Sequence, residues 1–271
     1  MRYGFRLMAV LVVVAGLLLA PGTRLQAQQT AQELAEKAAN PIADLMSIPF
    51  QNNVDFGLGQ YNRTRNVLNI QPVIPLAGGR LITRTIIPFV WLPDVTSETG
   101  SYASGLADMA FTAFYVPQGG SVMWGVGPVV ELPTGGERRG GQKWNLGPSG
   151  VLLKQQGQWT LGILANQVWS IAGNADRDAV SRGLLQYFIV RQMGNGWYLN
   201  SAPIITANWK AESGQQWIVP FGAGGGKLLF LGKLPVNLES QVYYNVVKPD
   251  IGPDWQLRFQ LQILLPAPGS R

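Results

Sequence analysis

Residues 255–265, WQLRFQLQILL, change character at every step. Trp255, Leu257, Phe259, Leu261, Ile263 and Leu265 alternate with Gln256, Arg258, Gln260 and Gln262. Successive side chains of a β-strand point to opposite faces, so this stretch predicts a strand with one apolar and one wet face. A strand that crosses a bilayer at a tilt needs roughly 9–11 residues, which this segment supplies. If the rest of the chain repeats the pattern, it can close into a barrel whose apolar face meets lipid.

It does repeat. From residue 50 onward, period-two segments alternate with turn residues, at about 52–59, 65–76, 79–92, 104–116, 121–132, 143–155, 157–171, 180–193, 196–210, 214–227, 233–247 and 253–265. The second, fourth, sixth and eighth connections are tight: Ala77-Gly78, Val116-Pro117-Gln118-Gly119-Gly120, Gln156-Gly157 and Gly194-Asn195-Gly196. They carry the Gly and Asn that hairpin turns use for positive φ. The third, fifth and seventh are longer and polar: Pro93 to Ala103, Thr134 to Gln142, and Ala172 to Ala179. Short turns on one rim and longer loops on the other are the habit of outer-membrane barrels; soluble sandwiches do not predict it. The tenth connection, Leu228 to Gly232, is apolar and less turn-like. An even strand count puts both chain ends on the short-turn side.

Facing follows from the alternation. Leu68, Ile70, Pro72 and Ile74 oppose Asn69 and Gln71. Met109, Phe111, Ala113 and Tyr115 oppose Asp108 and Thr112, and Val122, Trp124, Val126, Val130 and Leu132 oppose Gly125, Gly127 and Glu131. Leu238, Val242, Tyr244 and Val246 oppose Asn237, Glu239, Gln241 and Asn245. Leu184–Val190 is apolar on both faces and Ile86–Leu92 nearly so, which predicts an interior partly filled or lined by apolar side chains. Prolines 72, 88, 128, 203 and 220 fall inside segments, where they should mark bulges or breaks. Trp91, Trp144, Trp159, Trp169, Trp197, Trp209, Trp217 and Trp255 lie near segment ends, as an aromatic girdle at the lipid headgroups would require.

Charged residues are 13% of the chain, against about 25% in a typical globular protein. There is no Cys and no His. Disulfides, thiolate chemistry, a Ser-His-Asp triad and the usual imidazole metal ligand are therefore excluded. The formal charge is +6, but Arg2, Arg6 and Arg24 lie in the first 27 residues, leaving 6 − 3 = +3. That stretch has a basic start, an apolar run from Leu7 to Ala20, Pro21-Gly22 and a small residue at Ala27; it reads as a secretory signal peptide cut after Ala27. In residues 28–50, Thr30 and Glu33 form a capping box and Leu34 and Ala38 take helical spacing, so a short helix should end before Pro41, with a second turn at Ile42–Met46. This segment is read as a periplasmic arm or a plug of the barrel.

Charges on a lipid-facing strand position cost roughly 2–4 kcal/mol near the midplane, so ionic groups belong inside. The residues assigned to the lumen are Asp55, Asn69, Gln71, Arg84, Asp108, Glu131, Glu239, Gln241 and Arg258. Arg84, Lys154, Arg191, Lys210 and Arg258 are the candidate cationic partners of the acids. The glycine stretches at 135–136, 140–141 and 222–226 lack a phosphate-loop ending, and no spacing suits a metal or other cofactor. The loop TGGERRGGQK is basic enough to meet anionic lipid, though a solvated loop explains it as well.

Asn40-Pro41, Ser47-Ile48-Pro49-Phe50-Gln51-Asn52-Asn53 with Asp55, Leu68–Pro75 and Leu81–Pro88 resemble a family of proteobacterial outer-membrane proteins often labelled "transporter" or given a misapplied neuromedin U name. Gly105-Leu106-Ala107-Asp108 resembles the Gly-x-x-Asp strand opening of the related MetA-pathway phenol-degradation family. The similarity spans about residues 38–265. It implies an outer-membrane barrel and passage of aromatic or other small molecules, with no catalytic or binding residue to carry over.

The expectation is an all-β, transmembrane antiparallel barrel of twelve strands with a short N-terminal helical segment. Residues 1–27 form the signal peptide, 28–50 the N-terminal segment or plug, 51–266 the barrel and 267–271 a tail. The function expected is a channel or transporter for small molecules in the outer membrane of a Gram-negative bacterium, not an enzyme. Expected partners are outer-membrane lipids, the barrel-insertion machinery and a small-molecule solute, and not nucleic acid. The alternatives are a plugged structural barrel, a barrel-embedded enzyme and a soluble secreted β-protein.

Overall fold

A computed structural model of the chain describes residues 31–266. The expected signal peptide, Thr30 of the expected capping box and the tail at 267–271 lie outside the described residues. Twelve antiparallel strands close on themselves. We number them β1 (Met46–Leu58), β2 (Arg63–Ile70 and Val73–Leu76), β3 (Leu81–Leu92), β4 (Ala103–Leu106 and Met109–Tyr115), β5 (Met123–Leu132) and β6 (Lys143–Gln156). They continue as β7 (Trp159–Gly173), β8 (Ser181–Gly194), β9 (Trp197–Ser201 and Ile204–Asn208), β10 (Trp217–Leu231), β11 (Leu234–Val247) and β12 (Trp255–Leu265).

Each strand pairs with its neighbour in sequence, and β12 pairs with β1 without a break from Met46↔Leu265 to Phe56↔Trp255. That seam satisfies the edges that an open sheet would leave bare, as lipid requires. Along β12 the alternation of the sequence is the alternation of exposure: Phe259 is 48% exposed and Arg258 is 3%. The tryptophans near strand ends are all outward and exposed, between 39% and 52%. Trp159 carries the guanidinium of Arg191 at 5.5 Å and Trp197 the ammonium of Lys227 at 4.7 Å, cation–indole pairs suited to the headgroup region.

The short-turn rim is built by two-residue turns at Gly157-Gln158, Asn195-Gly196 and Gly232-Lys233, a four-residue turn at Ala77–Arg80, and a longer connection at 116–122. Asn195 (φ 54°) and Gly196 (φ 76°) both take positive φ, the type I′ geometry that matches strand twist. The tenth connection differs from the sequence expectation. β10 runs on to Leu231, and Gly232-Lys233 makes the turn.

Three strands are interrupted, and each interruption is repaired. At Gln71-Pro72 the ladder resumes through Gln71 N to Pro49 O (2.9 Å) and Thr85 N to Pro72 O (3.0 Å). At Ala107-Asp108 the Thr134 hydroxyl donates to Ala107 O (2.8 Å) and accepts from Met109 N (3.0 Å). At Ala202-Pro203 the amide of Ala202 donates to the Tyr243 hydroxyl (3.1 Å), while its carbonyl accepts from Arg258 and Gln186. Pro220 sits at a register shift in β10. Pro88 and Pro128 depart from the expectation, since their strands run through; Pro128 faces Pro148 across β5–β6. A proline lacks only its N–H, and these two strands hold because flanking pairs keep the register.

Residues 31–38 are helical, and the predicted second turn at Ile42–Met46 does not form a helix; β1 begins at Met46 instead, earlier than expected. Ala31 and Ala35, one helical turn apart, pack on the inward-facing Leu228 and Leu264. Ile42 then packs with Val73, Ile82 and Phe114. Asn40 fixes the turn between them by accepting from Ile42 N (2.9 Å). The segment thus crosses the barrel interior, from the β10–β12 wall to the β2–β4 wall, and small alanines let the helix lie close.

Gly147 packs so near β7 that an added Cβ would lie 1.7 Å from the Gln167 carbonyl oxygen, while at Gly150, on the same strand, the nearest atom is 3.9 Å away. Gly147→Ala is therefore expected to destabilise the barrel by about 1–3 kcal/mol, the range of an overpacked site, and Gly150→Ala to be neutral. The temperature at which the folded band is lost in heat-modified electrophoresis checks both.

Candidate functional site

The inward face carries two polar systems and two cavities. Strands supply both, because every second residue of a strand must point in. In the wall formed by β1, β11 and β12, Arg258 donates from Nε to Asn53 Oδ1 (2.9 Å), from Nη1 to Gln241 Oε1 (3.1 Å) and from Nη2 to Gln256 Oε1 (3.1 Å). Its remaining Nη1 bond holds Ala202 O (3.0 Å), and its guanidinium lies 5.0 Å from the Tyr243 ring centre. Gln256 in turn donates to Asp55 (2.7 Å), whose other oxygen pairs with Arg65 at 2.8 Å. Nearer the short-turn rim, Asn237 donates to the Tyr198 hydroxyl (2.9 Å), which donates to Glu239 (2.9 Å). Arg258, Asn53, Gln241 and Asn237 are buried in this mesh, while Glu239, Gln256 and Arg65 stay half-buried.

One cavity, of about 130 Å³, lies between residues 37–49 and the wall, with Lys37, Tyr198, Glu239 and Arg258 on its lining. A second, of about 360 Å³, is lined by Asn69, Thr112, Glu131, Asn166 and Arg182 interleaved with Ile86, Phe114, Leu164, Val168 and Leu184. Gln51, Gln71, Arg84 and Gln186 border both cavities. They form a waist between them, where Arg84 donates to the Gln71 side-chain oxygen.

The structure brings Asp55, Gln241 and Arg258 into one network, places Gln71, Arg84 and Asn69 at or beside the waist, and sets Glu239 in the smaller cavity and Glu131 in the larger. Glu131 pairs with Arg182 (2.6 Å) and accepts from Asn145 (2.7 Å). Asp108 serves another purpose. It sits in the break of β4 and accepts from the amides of Gly135 (2.8 Å) and Gly141 (2.6 Å), so it organises the loop at 133–142. Two of the proposed cationic partners are misplaced by the sequence reading: Lys154 and Arg191 share the outward parity of the exposed Leu152 and Ile189. Both lie near short turns, where the headgroup region removes the penalty for an outward charge. Lys210 lies in the loop after β9.

Sequence reasoning missed Tyr198, Gln186, Arg182 and Arg65. Their parity on the strands signals an inward position, but Arg65 and Arg182 sit at strand starts where parity is hard to fix, and Tyr198 looks like one more interfacial aromatic. At the loop rim, Arg63 holds the segment 93–102 through the carbonyls of Ser97 (2.7 Å), Glu98 and Gly100 (2.7 Å). In the same loop the Thr96 hydroxyl (2.6 Å) and amide (3.0 Å) both donate to Asp94, which holds its carboxyl below the usual range. Among the described residues no cluster of acids could hold a metal ion.

A family model described as "Putative MetA-pathway of phenol degradation" matches residues 33–267. Among solved structures, an outer membrane channel from Pseudomonas putida superposes with a TM-score of 0.58 at 15% identity, over 82% of this chain and 94% of that one. The outer membrane phospholipase A of Escherichia coli matches with a TM-score of 0.42 at 13% identity, over 87% and 98%. The translocator domain of the autotransporter NalP from Neisseria meningitidis matches with a TM-score of 0.42 at 9% identity, over 90% and 96%. No curated protein matches the chain. The likeness to the channel is one of fold.

Asp108→Ala removes both side-chain acceptors from the amides of the loop at 133–142. Trypsin is expected to cut intact cells after Arg138 and Arg139 on the order of a hundredfold faster in the variant, since two hydrogen bonds to a charged group, about 1.5–3 kcal/mol each, no longer oppose opening of the loop. Mass spectrometry of the released fragments checks it.

Proposed function

The chain belongs to the family described as "Putative MetA-pathway of phenol degradation", and from that premise we propose that its barrel is a channel for small molecules in the outer membrane. The observation that carries the reading is the pair of cavities in line, one on each side of the waist at Arg84 and Gln71. Side chains just fill the interior of a barrel of about eight strands, whereas the inner side chains of these twelve strands leave space on both sides of the waist. The apolar residues lining the larger cavity suit solutes with an aromatic or other apolar body, and the polar ones suit water and polar groups. Residues 31–45 act in this reading as a partial plug at the short-turn side, held by Ala31, Ala35 and Ile42 rather than by ion pairs, and therefore removable without breaking the wall. Lipids of the outer membrane are the natural surroundings of the tryptophan girdle. Export through residues 1–27 and insertion by the barrel-assembly machinery complete the proposal.

Planar-bilayer recording on refolded protein tests it. Wild type is expected to give small, stable steps, and a variant lacking residues 28–45 steps several-fold larger, because β1 begins only at Met46 and the barrel keeps all its strands. A silent membrane with both proteins would leave the plugged structural barrel as the better reading.

A further inference from the structure

Every carboxylate of the described interior has a partner, and of the two inward guanidiniums that meet no carboxylate, Arg258 and Arg84, only Arg84 is left with a single acceptor. Asp55 is taken by Arg65 and Gln256, Glu131 by Arg182 and Asn145, and Glu239 by Tyr198. Arg258 is enclosed by four acceptors. Arg84 has one neutral partner, Gln71, and among the described residues no carboxylate lies within ion-pair distance of it. It stays partly exposed, to the cavities it borders on both sides. A guanidinium carries five donors in a planar fork, so most of its donors remain for a guest.

The surroundings say which guest. Gln51, Gln71 and Gln186 border the same waist and offer amide donors and acceptors. Directly beside them the larger cavity turns apolar, with Ile86, Phe114 and Leu184 on its wall. A charged fork at one end of an apolar recess fits a molecule with an anionic head and an apolar body. A planar carboxylate matches the fork in two parallel hydrogen bonds, which a spherical ion cannot do. The volume of about 360 Å³ lies within the range of small-molecule sites, roughly 300–1,000 Å³. On the smaller cavity Lys37 and Arg258 outnumber the one carboxylate, Glu239, which accepts from Tyr198, and the Glu131–Arg182 pair neutralises itself at the far end of the larger one.

We infer that Arg84 is the head-group site for an amphipathic monocarboxylate, a short acid with an aromatic or aliphatic body, bound at the waist of the barrel. The inference deepens the channel reading and rests on it for its physiological meaning: such acids are then the solutes that pass. Binding itself needs no open pore. The carboxylate displaces water at Arg84, its body lies along Phe114 and Leu184, and no bond is made or broken.

The test uses the full mature chain in lipid nanodiscs, with phenylbutyrate and its uncharged analogue phenylbutanol as probes. Saturation-transfer NMR, with empty discs subtracted, reads binding. Phenylbutyrate is expected to bind and phenylbutanol to bind at least about tenfold more weakly, the weight of a charge-assisted hydrogen bond. Arg84→Gln is expected to bring the acid down to the level of the alcohol, and Arg84→Lys to keep part of the difference. Heat-modified electrophoresis confirms that each variant is folded; competition on the wild type by chloride at the concentration of the acid, which is expected to leave the acid bound, needs no variant. Equal binding of acid and alcohol, an acid that binds Arg84→Gln as well as wild type, or displacement of the acid by chloride at equal concentration overturns the site. Conductance without Arg84-dependent binding leaves the channel and removes the site, whereas Arg84-dependent binding in a silent barrel does the reverse.

Discussion

A backbone amide or carbonyl left without a partner in hydrocarbon costs several kcal/mol, and the architecture of this chain follows from that constraint. The continuous β12–β1 seam removes the sheet edges. Where a strand is interrupted, other groups take over from the ladder. Tyr243 and Arg258 close the gap at Ala202-Pro203, and Thr134 closes the gap at Ala107-Asp108. Arg258 therefore belongs to the integrity of the wall as much as to the lining of the lumen. Its burial is tolerable because each of its acceptors is fixed and because Asp55 lies one amide away, at the far side of Gln256.

The same constraint sorts the side chains. Apolar groups go out, where they touch lipid, and polar groups go in. The inner face is not uniform, though. One wall is an amide and guanidinium mesh, and the opposite wall is apolar around Phe114, Leu164 and Phe188. The segment 31–45 lies across both, using alanine against leucine at one end and Ile42 against Phe114 at the other. A segment held by apolar contacts is easier to displace than one tied by buried ion pairs, since removing it leaves no unpaired charge.

Arg84 stands apart because it belongs to neither system. The mesh around Arg258 is complete without it, and the apolar wall gives it nothing to bond. A charge held between two cavities with a single amide partner has a structural role too small to explain its position, and it is this excess of donors that gives the interior a chemical preference.

Much of this was legible in the sequence. The period-two pattern, the alternation of short and long connections and the placement of tryptophan specify strand count, facing and membrane setting, because in a lipid-exposed barrel each of those is imposed residue by residue by the solvent on either side. The inward placement of Asp55, Gln71, Glu239 and Arg258 follows from parity alone. Parity failed for Lys154 and Arg191, since near the headgroups an outward charge is no longer penalised. Tertiary structure alone decided the rest. Which inward groups meet depends on strands far apart in sequence, as when Asn53 meets Arg258 and Glu131 meets Arg182. Whether Asp108 lines a lumen or ties down a loop depended on where Gly135 and Gly141 fold back. Composition could count the inward charges, but only the closed barrel could show that among the described residues the guanidinium of Arg84 was left with a single acceptor.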